Sequence, residues 1–270
     1  MLMLALVLAA SAPQAAITER IAAPEANQGV AAGRKVVYAI SNHEIGEYDK
    51  HTGKRLRHWE GDPAHFKHMN SCTLVRHDLV CAASNYPATP MQSMVELFDM
   101  RTLTHSRTVA LDGFPGSLTV LTRHRGHWWA VFANYDSQSG ATGRDHRDSL
   151  LVELDQNFRE IRRFHFPGSV LERFAPRSCS GAQWGKDGLL YVTGHDRPEL
   201  YALRVPEKGT QLAHVATYAI ATNGQAIDWD PEQPDLLWSI ERSTREMVAA
   251  RVDLKAPLRS GLQSGSPENH

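Results

Sequence analysis

A two-part polar signature occurs five times along the chain, and its spacing constrains the fold more than any other feature. In each copy a polar pair precedes one hydrophobic run, and a second polar pair follows the next run 14 to 17 residues later. Successive copies start 42 to 63 residues apart. Self-similarity at this period is typical of β-propellers, in which each repeat is one four-stranded sheet. The first pairs are Gln28-Gly29, Asn70-Ser71, Gly116-Ser117, Ser180-Gly181 and Gly224-Gln225, and the second pairs are Asn42-His43, Asn85-Tyr86, Asn134-Tyr135, His195-Asp196 and Glu241-Arg242.

The hydrophobic runs predict the strands of five blades. They are rich in β-branched and aromatic residues and are bounded by turn-forming residues. Four repeats contain four such runs, whereas the fifth contains three. The stretch Ile17–Ala23 has no repeat of its own, so we expect it to pair with Met247–Val252 and to leave the ring without an open edge. The sequence therefore predicts an all-β fold, a five-bladed β-propeller closed by an N-terminal strand.

A six-bladed ring with one degenerate blade is the alternative architecture. The longest repeat, between Asn134 and His195, would have to contain the extra blade. Two loops explain its surplus residues better, Asp136–Asp148 and Pro167–Arg177, because neither has enough β pattern for four strands. A short helix is expected at Val170–Phe174 within the second loop.

The termini predict an exported protein with one folded domain, residues 17–254. An apolar run at 2–10, followed by small residues, is typical of a secretory signal peptide, here residues 1–16. Residues 255–270 are rich in Ser, Gly and Pro and predict a flexible tail. We therefore expect a secreted or periplasmic location.

The three cysteines fit the expectation of export. Cys72 and Cys81 flank a predicted tight turn, which would place them on opposite positions of adjacent strands, within range of a disulfide. An exported protein would tend to oxidise such a pair. Cys179 is left over, either as a small buried apolar residue or as a thiol at the rim of a site.

The charge balance gives no reason to expect nucleic acid or an anionic membrane as a partner. The formal net charge is −1, and charged residues make up 22% of the chain. A nucleic-acid-binding domain normally carries a basic excess. We expect a monomer whose partner is a small-molecule substrate.

The repeated polar residues predict the position of a site. In an antiparallel blade the start of the first strand and the end of the second lie on one face, so both halves of the signature converge at one mouth of the central channel. Polar turn backbones alone would give a simpler explanation, but turns favour Gly, Pro, Ser and Asp, not the Tyr, His, Gln and Arg found here. The predicted substrate-binding residues are Gln28, Asn42, Asn70, Asn85, Tyr86, Asn134, Tyr135, Ser180, Gln225 and Arg242.

Three kinds of chemistry are open at this mouth. Acid–base catalysis would use His195, His43, Asp196 and Glu241, because a histidine titrates near neutral pH and a carboxylate can orient it. A divalent metal would be held by His43, His68 and His195, three imidazoles around an open position. A nucleophile, Cys179 or Ser180 with His195, has no local motif such as G-x-S-x-G in its support.

The chain resembles the broad superfamily of secreted bacterial propellers with YVTN, NHL and quinoprotein-like repeats. The resemblance rests on the stretches YAISNHEIGEYDKHTGK, CAASNYPATPMQSMVELFD, GAQWGKDGLLYVTGHDRPELYAL and GQAIDWD. It covers nearly the whole predicted domain and implies the propeller fold. Members of similar subgroups carry the loose label cycloisomerase, which implies no mechanism. By similarity to calcium-dependent lactonases, Glu25, Asn134 and Asp196 would be metal ligands, although the surrounding patterns differ.

These observations favour an exported enzyme that acts on a small polar molecule, such as a sugar derivative, a lactone or a phenolic. Hydrolase, lyase and isomerase chemistry all fit proton transfer at the mouth, with or without a metal. The alternative is a non-catalytic propeller that binds a glycan or a protein through the same mouth.

Overall fold

Each predicted repeat folds into one antiparallel sheet of four strands in the computed structural model, which describes residues 15–136 and 143–258. The five sheets form the blades of a β-propeller. Each blade runs from an innermost first strand to an outermost fourth strand, as the repeat pattern predicted. The all-β, five-bladed prediction is confirmed.

The described residues contain twenty strands, one α-helix and one short 3-10 helix. The helix α1 spans Gly168–Phe174, and the 3-10 helix spans His146–Asp148. In chain order the strands are β1 (Ala16–Ala22), β2 (Gly29–Ala32), β3 (Val36–Ile40), β4 (Glu44–Asp49), β5 (Arg55–Glu60), β6 (His68–Val75), β7 (Asp78–Ser84), β8 (Ser93–Asp99), β9 (Thr104–Ala110), β10 (Ser117–His124), β11 (His127–Ala133), β12 (Leu150–Leu154), β13 (Glu160–His165), β14 (Gly181–Trp184), β15 (Leu190–Thr193), β16 (Glu199–Arg204), β17 (Ala213–Ala219), β18 (Asp228–Trp229), β19 (Leu236–Glu241) and β20 (Glu246–Arg251).

The N-terminal strand closes the ring. The fifth blade has the order β18, β19, β20 and β1, so β1 supplies the outer strand that the fifth repeat lacks. In this register Ile17 lies opposite Ala250, and Ala22 lies opposite Glu246. Arg20 adds an ion pair with Glu246 at 2.9 Å. The predicted pairing of the two ends is therefore confirmed.

Five hydrophobic clusters hold the blades together, one between each pair of neighbours. Between blades five and one, for example, Ile21 and Trp238 pack with Val37 and Tyr48. The other four clusters join blades one and two, two and three, three and four, and four and five in the same way. Burial of apolar surface between sheets, at about 25 cal/mol per Å², is the main stabilising contribution in such a ring.

The long third repeat contains loops and no extra blade. The 3-10 helix His146–Asp148 lies before β12, and α1 lies between β13 and β14. Buried Val170 and Phe174 anchor α1 to the cluster between blades three and four. This confirms the short helix and excludes the six-bladed alternative; part of the first loop, residues 137–142, lies outside the described residues.

The cysteines adopt the arrangement that the turn predicted. Cys72 and Cys81 lie opposite each other on β6 and β7, and their sulfur atoms are bonded. Cys179 is free and fully buried, which agrees with its interpretation as a small apolar residue. Burial raises the pKa of its thiol, so the structure offers no support for Cys179 as a nucleophile.

The predictions for the termini fall largely outside the described residues. The predicted signal peptide 1–16 is described only at its last two residues, and the predicted tail 255–270 only as far as Leu258. There the Leu258 amide donates to the Thr217 carbonyl at 2.7 Å. Within the described ranges we find no helix with the length and apolar character needed to cross a bilayer.

Candidate functional site at the channel mouth

A cavity of about 240 Å³ lies where the repeated polar residues converge. It receives residues from all five blades, as well as one from the loop after α1. Larger clefts also exist, for example one of about 420 Å³ beside the outer strands of blades four and five, but they do not gather the repeated residues. The lining of the mouth cavity consists of Gln28, His68, Asn70, Tyr86, Thr119, Tyr135, Arg177, Ser180, His195, Gln225 and Arg242.

Within the second pair of each polar signature, at most one residue reaches the cavity. In blades two, three and five it is the second residue, namely Tyr86, Tyr135 and Arg242, whereas in blade four it is the first, His195. Most of these pairs lie in bends and turns after the strand ends, so the local turn geometry determines which member faces the cavity. The sequence located these positions but not their direction.

Blade one contributes through a hydrogen-bonded set behind the cavity wall. Asn42 Oδ1 accepts a hydrogen bond from Gln28 Nε2 at 2.8 Å and lies 3.0 Å from His68 Nδ1. Asn42 thus fixes two lining side chains without lining the cavity itself. Burial and the charge of Arg242 lower the pKa of His68 to about 4, an effect that a hydrogen bond with Asn70 opposes only in part. His68 is therefore neutral at physiological pH.

His195 lies between a carboxylate and a guanidinium. Its Nδ1 is 2.6 Å from Asp196 Oδ1, and its Nε2 is 3.2 Å from Arg242 Nη1. Because a guanidinium has only donors, Nε2 accepts from Arg242, and the proton of the neutral ring lies on Nδ1, facing Asp196. The side chain is 30% exposed. With a carboxylate orienting the ring, Nε2 at the cavity wall has the position of a general base, and its lone pair becomes available when Arg242 releases it.

Two tyrosines form an aromatic side of the cavity. The Tyr86 ring packs against His68 with centroids 4.9 Å apart and edge-on against Tyr135 at 5.4 Å. Burial raises the pKa of Tyr135 and the neighbouring Tyr86 adds to the shift, so its hydroxyl stays protonated. A protonated phenol can donate a hydrogen bond to a ligand oxygen.

Several predicted site residues are engaged elsewhere. The Asn85 side chain bonds the backbone of Pro90 and Gln92. Asn134 is buried, with its Nδ2 donating to the Asp148 carbonyl. Glu241 accepts from both the amide and the hydroxyl of Ser243. These contacts stabilise loops and turns beside the mouth and do not place Asn85, Asn134 or Glu241 in the cavity.

The predicted metal set of His43, His68 and His195 is not assembled. His43 does not line the cavity; its ring lies with the carboxylates of Glu44 and Glu60, the latter at the end of the outer strand β5. Within the described part of the chain, two other groups have ligand atoms within 4.8 Å of one another, the first being His43, Glu44 and Glu60, and the second Asp136, Asp145 and His146. One imidazole with two carboxylates can hold a divalent cation. Both groups lie outside the cavity lining.

The lactonase-like ligand set is also separated. Glu25 is buried under blade one, where it accepts from the Tyr48 hydroxyl and from Arg55. Asp196 is more than half exposed and contacts His195, whereas Asn134 is buried near the 3-10 helix. These contacts hold the side-chain oxygens of Glu25, Asn134 and Asp196 in three different parts of the structure.

Two of the lining residues, Thr119 and Arg177, were not predicted from the sequence. Thr119 lies at a register shift between β10 and β11, where a bulge redirects a side chain; its hydroxyl donates to the Cys179 carbonyl at 2.8 Å. Arg177 ends the loop that carries α1. The sequence predicted that loop within the longest repeat, but no local pattern distinguished Arg177 from its neighbours.

Close backbone contact between blades four and five positions His195. A Cβ atom on Gly224 would lie 2.2 Å from the carbonyl oxygen of Gly194, the residue before His195. Only glycine at position 224 permits this approach without a shift of one blade. The glycine of the repeated signature thus has a packing role that the sequence pattern did not reveal.

Replacement of Gly224 by alanine is expected to lower the unfolding free energy by about 1–3 kcal/mol, because the added methyl overpacks this contact. Urea denaturation would measure the loss. Gly168→Ala is the matched control, since a Cβ there meets nothing within 4 Å, and it is expected to be neutral or slightly stabilising. Equal stability of the two variants would contradict the packing role of Gly224.

The charged groups of the cavity lining are all positive among the described residues. Two guanidiniums, Arg177 and Arg242, reach the cavity, and no carboxylate is present among the described residues that line it. Burial, Arg245 and Arg177 all lower the pKa of Arg242. The remaining polar groups are neutral amides, hydroxyls and imidazoles. The geometry thus defines a five-bladed propeller with a small, polar and positively charged mouth.

Comparisons with known proteins agree with the fold and go no further. No protein-family model and no curated protein matches the chain. Among solved structures, the PQQ-bound aldose sugar dehydrogenase from Streptomyces coelicolor is 13% identical with a TM-score of 0.53, and the match covers 88% of this chain and 97% of that one. A chain in the crystal structure of a mitotic checkpoint complex is 12% identical with a TM-score of 0.50, over 93% and 99% of the two chains. A protein of unknown function from Bacteroides thetaiotaomicron is 15% identical with a TM-score of 0.50, over 83% and 58%. At such identities the likeness concerns the fold alone.

Proposed function

We propose that the protein is an enzyme that binds a small polar molecule in the mouth cavity and transfers a proton, with His195 as the base. The observation that carries this proposal is the contact of His195 with Asp196 on one side and Arg242 on the other, at the wall of a cavity built from all five blades. Once Arg242 releases Nε2, the neutral imidazole would accept a proton there and later return it to the product or to solvent. Asp196 would stabilise the imidazolium in between.

The other lining groups support binding of an oxygen-rich molecule. Gln28, Asn70 and Gln225 offer amide groups, and Ser180 and Thr119 offer hydroxyls. A volume of about 240 Å³ lies below the roughly 300–1,000 Å³ usual for ligand pockets, so the substrate would be small. Sugar derivatives, lactones and phenolics are of this kind, and proton transfer is common to their hydrolysis, elimination and isomerisation.

We also propose that the protein works outside the reducing cytoplasm. The Cys72–Cys81 disulfide supports this location, since such bonds persist mainly in oxidising compartments. The resemblance to exported propellers points the same way.

A non-catalytic binding protein is the second candidate. It is favoured by the aromatic side of the cavity, where Tyr86 contacts both His68 and Tyr135, because aromatic side chains bind ligands without any chemistry. In this case the same cavity would hold a glycan end or a side chain of a partner protein.

The two candidates are distinguished by incubating the purified protein in D₂O with small lactones, sugar acids and phenolics. Proton NMR would follow ring opening, elimination and exchange of carbon-bound hydrogen. Conversion of at least one compound supports the enzyme. Compounds that bind and shift resonances but return unchanged would support the binding protein and contradict the catalytic proposal.

A further inference from the structure

We infer that the molecule bound at the mouth is an anion whose oxyanion group, a carboxylate or a phosphate, is held by Arg177 and Arg242. This inference rests on the cavity described under the proposed function, but it does not depend on catalysis. It concerns the charge of the ligand, which neither the repeat pattern nor the fold comparison indicates.

The first argument is the missing counter-charge. Arg242 is half-buried, and its contacts are two neutral acceptors, His195 Nε2 at 3.2 Å and Asn27 Oδ1 at 3.4 Å. By contrast, Arg57, Arg162 and Arg173 each pair with a buried or largely buried carboxylate. Neither Arg177 nor Arg242 has an ion pair within the described ranges. A partly desolvated charge without a partner is costly, and an anionic ligand would remove that cost.

The second argument is the effect of Arg242 on its surroundings. The charge of Arg242 is a cause of the lowered pKa of His68, and Arg177 helps to lower the pKa of Arg242 itself. Besides burial, which is the larger cause at both groups, the positive charges thus disfavour further positive charge at His68 and at Arg242. The same charges favour a negative ligand, and no lining carboxylate among the described residues cancels them.

The third argument is geometric. Guanidinium groups bind carboxylates and phosphates through paired N–H donors. Arg177 lies on the loop above the mouth, whereas Arg242 follows the end of β19. An anion between them would leave the amides and hydroxyls of the inner strands for the uncharged part of the molecule. Arg242 would then exchange its bond to His195 for a bond to the ligand, which frees Nε2.

The test uses the smallest matched probes, so that the shape of the unknown substrate does not matter. Acetate, its neutral isostere acetamide and inorganic phosphate are titrated into the full-length protein at constant ionic strength, adjusted with sodium chloride. Thermal unfolding and the arginine side-chain N–H resonances in ¹⁵N NMR report binding. At an anion concentration about five times Kd, Tm is expected to rise by roughly 2–4 °C, with no rise for acetamide.

Variants locate the effect. Arg242→Gln and, as a second variant on an exposed loop, Arg177→Gln are each expected to reduce anion affinity at least tenfold. Arg107→Gln is the matched control, because Arg107 is exposed on β9, the outer strand of blade two, and does not line the cavity. A stronger response to acetate than to phosphate would identify a carboxylate ligand, and the reverse order would identify a phosphate.

Three results would overturn the inference. They are an equal response to acetate and acetamide, no response to acetate or phosphate with the anion at tens of millimolar concentration, and an equal loss of affinity in Arg107→Gln. Failure of the proposed catalysis gives a different result, since a catalytically silent protein would still bind anions through both arginines. A His195→Gln variant that binds acetate normally would separate the two outcomes.

Discussion

Replacement of His195 by glutamine is expected to lower kcat by about 10²–10⁴-fold on the substrate found by NMR, the range typical for loss of a general acid–base group. Glutamine retains an acceptor for Arg242 but cannot take up a proton at neutral pH. The bound molecule should therefore remain bound. We expect a large loss in kcat, measured by steady-state kinetics, with KM and Kd changed only a few-fold.

The control for this prediction is His51→Gln. His51 is exposed in a turn of blade one, remote from the cavity lining, and its replacement should leave kcat unchanged. A His195→Gln variant that keeps kcat within threefold of the wild type but binds weakly would show that His195 only contacts the ligand. That outcome would favour the non-catalytic binding protein.

The second large effect is a change of folding stability with pH, which we expect from Asp228 on the innermost strand of blade five. Its carboxylate accepts from the Ala32 amide at 2.8 Å and from Gln183 Nε2 at 2.9 Å, and thus joins the inner strands of three blades. Burial raises the pKa of Asp228 to about 7, against 3.8 for an ordinary aspartate, and the nearby Asp230 adds to the shift. Two accepted hydrogen bonds offset only part of the desolvation.

The raised pKa gives the folded protein a definite pH dependence. Below pH 4 both the folded and the unfolded chain hold the proton on Asp228, so the neutral side chain is buried without a charge penalty. Between about pH 4 and pH 7 only the folded chain holds it, and this contribution to stability decreases as pH rises. Above pH 7 the contribution is lost. Between pH 5 and pH 8 the change amounts to about 3 kcal/mol, at about 1.4 kcal/mol per unit of pKa shift.

Asp228→Asn should remove this dependence, because asparagine stays neutral at every pH. The measurement is urea denaturation of both proteins at pH 5 and pH 8. Relative to the variant, the wild type is expected to lose about 3 kcal/mol between the two pH values. Other carboxylates, such as Asp235 and Glu246, have a lowered pKa and therefore stabilise the folded protein as pH rises. Their contributions are the same in both proteins and cancel in the comparison.

Asp112→Asn serves as the control, since Asp112 is exposed in a turn. Its stability should follow the wild type at both pH values. Parallel pH curves for the wild type and Asp228→Asn would mean that Asp228 is already charged in the folded protein at pH 5, and the role given to its burial would be wrong.

The fold was predictable from sequence because its signals are local and repeated. The spacing of the polar pairs predicted the number and the position of the blades. The extra strand at Ile17–Ala23 predicted that the ring closes by pairing of this strand with the segment that forms β20. The cysteine turn likewise depends on residues close in sequence. None of these predictions required knowledge of where a side chain points.

The site was predictable in position but not in detail. Whether Tyr86 or Asn85 faces the cavity depends on a one-residue register that composition does not reveal. Thr119 is redirected by a bulge, and Arg177 arrives from a loop without a periodic pattern. The metal set failed for a similar reason, because His43 lies beside Glu44 and Glu60 and does not line the cavity. In each case the direction of the side chain in the folded protein, and not its residue type, determined whether the residue lines the cavity.

The closure of the ring also determines when folding can finish. The hydroxyl of Thr18 on β1 donates to the carbonyl of Ala249 on β20, across 231 positions of sequence. During synthesis β1 therefore emerges long before its partner strand β20. The first four blades have local pairings and can form as the chain lengthens, but the fifth blade must wait until β20 has been synthesised. Until then both edges of the growing ring are open to pairing with other chains.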